Sequence, residues 1–153
     1  MIQRIQTLYL LVVTIFVGVT LFAPLAWFFA DSVDYRLCAF SLQTLDGTAV
    51  QPTVYMGLLL VASCLLPLVT IFLYRRRMLQ IRLCVVEMVL LLGSVIMEGI
   101  YYYLCSRAFA DVECLKGLKP AIALPLVSLF FMYLAVRAIF RDELMVRAAD
   151  RIR

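Results

Sequence analysis

Four long apolar runs, separated by short polar stretches, set the pattern of this chain. A helix needs about 20 mainly apolar residues to cross roughly 30 Å of hydrocarbon. The runs predict transmembrane helices over 5–29, 53–74, 83–104 and 120–140, and no charge interrupts the first two. Between and beyond them lie an outer loop (30–52), a basic turn (75–82), a second outer loop (105–119) and a tail (141–153). The expected architecture is an all-α membrane protein, one integral domain built as a four-helix bundle. The first run is too long for a cleaved secretory signal, and its end, APLAWFF (23–29), offers bulky aromatics where cleavage wants small residues. It is expected to remain as an anchor. Pro120 suits the first turn of the fourth helix. Pro24 and Pro67, inside runs, are expected to kink their helices.

The longer outer loop carries a shorter rhythm. In YRLCAFSL (35–42), Tyr35, Leu37, Ala39 and Ser41 alternate onto one strand face, and Asp46-Gly47 signals a turn before Thr48-Ala49-Val50. This predicts either a small hairpin or sheet over the outer end, or an irregular loop with one strand. A hairpin alone is only marginally stable, so it would need the second outer loop or a partner protein against it.

Composition agrees with a lipid-facing chain. Of 153 residues, 65% are hydrophobic and 16% charged, against roughly 45–50% and 25% in soluble domains. Histidine is absent, which removes the commonest general base and metal ligand. No metal and no cofactor are expected, and no enzyme.

Charge orients the bundle. One side holds Arg4, Arg75, Arg76, Arg77, Arg82, Arg137, Arg141, Arg147, Arg151 and Arg153, against three acids. The other holds Arg36, Arg107, Lys116 and Lys119, against five. Short loops rich in Lys and Arg stay in the cytoplasm, so both termini are expected inside. The cluster at Arg75 to Arg77 is explained by topology and needs no nucleic acid. In the tail, Glu143 and Arg147 stand at i and i+4 in the favourable order, so the fourth helix is expected to continue as an amphipathic segment. Its basic side suits anionic lipid headgroups or a cytoplasmic partner.

The third run carries the only candidate chemistry. Glu87, Ser94, Glu98 and Tyr101, with Cys105, fall on one helical face. The carboxylates are about 16 Å apart along the helix, too far for an adjacent acid and base pair. Each costs about 2.5–3.5 kcal/mol near the bilayer centre, so they should face the bundle interior, a water-filled crevice or another subunit. Glu87 is expected to pair with Arg82 or Arg137. Glu98 has no obvious basic partner, and a bound proton, or hydrogen bonds from Tyr101, Tyr102 or Tyr103, would satisfy it; the functional reading is a proton or cation site. Cys64 and Cys84 read as small apolar fillers. Cys38, Cys105 and Cys114 lie outward, with Cys38–Cys114 the favoured disulfide and Cys105–Cys114 the alternative. Quinone-linked disulfide-generating enzymes also place outward cysteines on four helices. They rely on a C-x-x-C pair and a second pair, and neither that spacing nor the even count occurs here.

Three segments, MIQRIQTLYLLVV (1–13), RRRMLQIRL (75–83) and LPLVSLFFMYLAVRAIFRDELMVRAADRIR (124–153), resemble a family of small inner-membrane proteins from the Bacteroidota catalogued only as a domain of unknown function. That resemblance implies four helices, a bacterial source and the inner membrane, and no activity. In layout alone the family is similar to claudin-like proteins, whose outer loops form a small sheet above four helices. The expected function is a noncatalytic accessory or scaffold subunit, bound to the bilayer and to another inner-membrane protein. The alternative is a small transporter that oligomerises around Glu98.

Overall fold

A computed structural model describes residues 3–73, 76–109 and 114–150, without the side chains of 3, 4, 77 and 146–150. Arg75 and the side chains of Arg77 and Arg147 therefore lie outside the described residues. The elements run α1 (Gln3–Phe22), β1 (Ala26–Ala30), β2 (Val33–Leu37), β3 (Ser41–Thr44), β4 (Ala49–Pro52), α2 (Val54–Phe72), α3 (Arg77–Ala108), β5 (Leu115–Leu118), a 3₁₀ turn (Pro120–Ala123) and α4 (Leu124–Asp150). All four helices are long and apolar enough to cross a membrane.

The helices form a ring in which α1 and α3 each pack against α2 and α4. Val13, Leu60, Leu91 and Met132, one from each helix, are fully buried at its centre. The outside is as apolar as the inside: Leu8, Leu58, Val89 and Phe130, again one per helix, are more than half exposed. The buried set meanwhile includes Gln80, Glu87, Ser94, Glu98 and Ser128. A water-soluble bundle would bury the apolar stripe and expose the polar one. Apolar outside with polar groups gathered within is the arrangement a lipid solvent favours.

The first helix ends at Phe22, seven residues before the expected boundary. Pro24 terminates it instead of kinking it, because the residue before a proline is pushed out of the helical region. The following AWFFA is a strand, with Ala26, Phe28 and Ala30 buried and Trp27 and Phe29 exposed. An aromatic-rich, alternating segment fits a half-buried strand better than a continued helix. Pro67 stays inside α2, and Pro120 occupies the first position of the 3₁₀ turn leading into α4. The fourth helix continues through Asp150, as its composition predicts.

The strands make one antiparallel sheet in the order β4-β3-β2-β1-β5. Asp31 and Ser32 join β1 to β2 with φ of 53° and 65°, the two positive values that a type I′ hairpin turn requires. The expected strand over 35–42 is two strands, because the chain turns through Cys38–Ser41, where the Cys38 N–H donates to the Ser41 carbonyl at 3.0 Å. Gly47, at φ 83°, makes the predicted turn between β3 and β4. The support that the hairpins needed comes from the second loop, whose β5 pairs with β1.

A second core joins this sheet to the bundle. Phe28 meets the rings of Tyr102 and Phe109 at 5.6 and 5.9 Å, and Tyr35 meets Phe109 at 4.8 Å. At 32 residues, α3 is roughly 48 Å long, well beyond the hydrocarbon thickness, and its surplus turns back the sheet.

Candidate functional site

The site grows from one stripe of α3. Gln80, Cys84, Glu87, Leu91, Ser94, Glu98 and Cys105 are all buried, at spacings of three, four or seven that hold one helical face against the centre of the ring. The polar face of Glu87, Ser94 and Glu98 therefore looks into its own bundle, with Tyr101 half-buried beside it.

One hydrogen bond sets the level of each residue. The Gln80 side-chain amide donates to the Thr70 carbonyl at 2.9 Å, tying α3 to α2. The two helices are joined by a short turn and run antiparallel, so seven residues along each from that bond lie Glu87 and Ser63, about 10 Å deeper. At this level neither oxygen of Glu87 and not the Ser63 hydroxyl has a hydrogen-bond partner. Other buried hydroxyls close onto their own helices: Thr20 donates to Phe16, Thr70 to Leu66, Ser94 to Leu90 and Ser128 to Leu124, at 2.8–3.0 Å. Pro67 adds a further acceptor. Lacking an N–H, it leaves the Ser63 carbonyl, four residues earlier, without its helical donor. The level thus combines a carboxyl, a hydroxyl and a carbonyl without its helical donor.

Glu98 lies roughly 27 Å from the Gln80 level, near the start of α2 and beneath the sheet. Its Oε1 is buried without a partner. The tyrosines expected to hold it are engaged elsewhere: Tyr101 packs on the bundle core, Tyr102 on Phe28, and Tyr103 is exposed with the Arg107 guanidinium 5.6 Å from its ring centre.

The expected Glu87–Arg137 pair is not made. Arg137 and Arg82 are exposed, Arg137 lining a groove between α1 and α4, and among the described residues no lysine or arginine is buried. A guanidinium kept at the surface of an apolar bundle avoids the desolvation that reaching Glu87 would cost. The expected Cys38–Cys114 disulfide is absent too, all five cysteines being free. Cys38 follows Leu37, paired with Ala26 at one end of β1, whereas Cys114 precedes Leu115, paired with Phe29 at the other. Five strand positions put them roughly 16 Å apart along the sheet, far beyond disulfide reach. Cys105 and Cys114, the alternative pair, share the sheet core as free thiols. Cys84 lies in the bundle core with Cys64 packed against it, as small apolar fillers would. Of the basic residues, Arg76, Arg82 and Arg141 are exposed at the end of the bundle away from the sheet. Ser63 is the participant that residue typing missed; a serine four residues before a mid-helix proline was the available signal.

A protein-family model described as a domain of unknown function (DUF4293) matches residues 2–152. No curated protein matches the chain.

Proposed function

The chain belongs to the DUF4293 family, and from that premise, which assigns no activity, we propose that it is a small proton- or cation-coupled protein of the bacterial inner membrane. Both termini lie in the cytoplasm on this reading, which places the sheet outside. The distribution of arginine supports the orientation, and the resemblance to Bacteroidota proteins supports the choice of membrane.

The observation that carries the reading is the pair of buried carboxyls, with both oxygens of Glu87 and Oε1 of Glu98 lacking any hydrogen-bond partner. A charge in a low-dielectric interior requires a counter-charge or polar ligands, and no buried base supplies one among the described residues. A proton or a small cation meets that requirement, and at the Glu87 level the Ser63 oxygens would complete its ligands. Intramembrane carboxyls facing a bundle interior commonly mark ion and proton pathways. The site lies within one ring of helices, so a second copy is not needed to form it. Neither this reading nor the next requires catalysis.

The test is reconstitution into liposomes with imposed proton, Na⁺ and K⁺ gradients. Flux that Glu87→Gln and Glu98→Gln each abolish, with folding intact, is the expected result. No flux of any of the three ions by the wild-type chain would overturn it.

A second reading, the noncatalytic accessory subunit, is favoured by a different surface. Phe29 and Leu115 stand opposite each other on the exposed face of the sheet, with Trp27 two residues along. Exposed aromatic groups on a sheet outside the lipid suit a protein partner. Extraction in mild detergent with a stoichiometric partner that Trp27→Ser and Phe29→Ser release would favour this reading, and a partner-free chain would count against it.

A further inference from the structure

A groove of about 500 Å³ runs between α1 and α4 at the end of the bundle away from the sheet. Ile5 and Tyr9 line it from α1, and Leu134, Arg137, Ala138 and Arg141 from α4. We propose that this groove is a binding site for one anionic glycerophospholipid, with its phosphate on Arg137 and Arg141 and the upper part of an acyl chain on the apolar wall. The proposal rests on the membrane placement above and is independent of the ion reading.

Three observations carry it. Arg137 and Arg141 are four residues apart, so their guanidinium groups share one helix face, and planar guanidinium donors fit phosphate oxygens two at a time. Counted from Leu124, they stand roughly 20 and 26 Å along α4, close to the depth at which a 30 Å hydrocarbon layer gives way to headgroups. The groove is also held in place, because the Gln6 side-chain amide donates to the Ala138 carbonyl at 3.3 Å and fastens α1 to α4 beside it. Asp142 and Glu143, next along the chain, are not part of its lining. Free phosphate would satisfy the arginines alone; a phospholipid also covers the apolar wall.

The experiment uses the full chain, extracted in mild detergent and stripped of lipid, then offered phosphatidylglycerol, phosphatidylcholine or inorganic phosphate. Bound lipid is read by native mass spectrometry and by the shift in unfolding temperature. Phosphatidylglycerol should be retained and should stabilise the chain, with neither effect from the other two. Arg137→Ala with Arg141→Ala should weaken retention by about 25-fold, at roughly a fivefold loss per arginine. Arg82→Ala, an exposed arginine away from the groove, should not. If the double alanine variant does not fold, replacing both arginines by lysine, which keeps the charge and loses the paired donors, carries the test with a smaller expected loss. Equal retention of phosphatidylcholine, stabilisation by phosphate alone, or retention of phosphatidylglycerol unaffected by every groove variant would overturn the proposal. Loss of the chain from alkali-washed membranes would instead remove the membrane placement, so the two failures are distinguishable.

Discussion

The sheet region and the bundle interior treat buried polar groups in opposite ways. Under the sheet, the buried Thr53 hydroxyl lies within hydrogen-bond reach of the carbonyls of Cys38 and Ala39, at 3.2 and 3.1 Å, and its N–H donates to the Phe40 carbonyl at 2.8 Å. In the bundle, Ser63, Glu87 and Glu98 keep buried oxygens with no partner. Thr53 holds the chain to itself; Ser63, Glu87 and Glu98 cost stability and return nothing to the fold, although Gln80 in the same bundle ties α3 to α2. Natural proteins carry such a cost where a site needs it.

The contrast can be broken most forcefully at its joint. Phe28→Ala removes the ring that meets Tyr102 and Phe109, and large-to-small changes at such a site cost about 3–5 kcal/mol. Limited proteolysis should show the sheet released while the helices remain protected; simultaneous loss of both would make them one cooperative unit. Next comes Thr53→Val, which keeps the shape and removes the hydroxyl. It should destabilise the chain by about 1–3 kcal/mol in chemical unfolding, and a neutral result would remove the sheet side of the contrast.

Glu87→Gln sharpens the comparison from the other side. A carboxyl without partners loses little on becoming an amide, so the unfolding temperature should change by less than the equivalent of about 1 kcal/mol while ion flux disappears. A cost as large as that of Thr53→Val would show that Glu87 is a structural group after all. The smallest effect concerns Cys38, whose thiol is pushed above its ordinary range by burial, with Arg36 and Lys119 partly opposing the shift. Its thiolate fraction at a given pH is therefore reduced. Maleimide labelling at pH 8 should be slower than for an exposed cysteine, should keep rising with pH beyond the usual range, and should slow further in Lys119→Met.

Much of the architecture was legible because lipid crossing is a local property. Hydrophobic length over 54–72 or 120–145 announces a spanning helix with no knowledge of its neighbours. The end of α1 was harder, because AWFFA is as apolar as the helix before it and only Pro24 and the alternation mark the change. The site was half legible. The inward stripe of Glu87, Ser94 and Glu98 follows from periodicity, whereas the expected Arg137 pair rested on charge alone, which does not reveal that Arg137 faces outward.

The sequence by itself determined the number of long apolar helices, their approximate limits, the Gly47 turn and the shared face of the two carboxyls, since each depends on residues close along the chain. Tertiary structure alone decided that β5 pairs with β1 across some ninety residues, that Ser63 comes level with Glu87 through the Gln80–Thr70 bond, and that among the described residues no base reaches either carboxyl. Those are questions of which surfaces meet, and they depend on packing between segments that local periodicity does not encode.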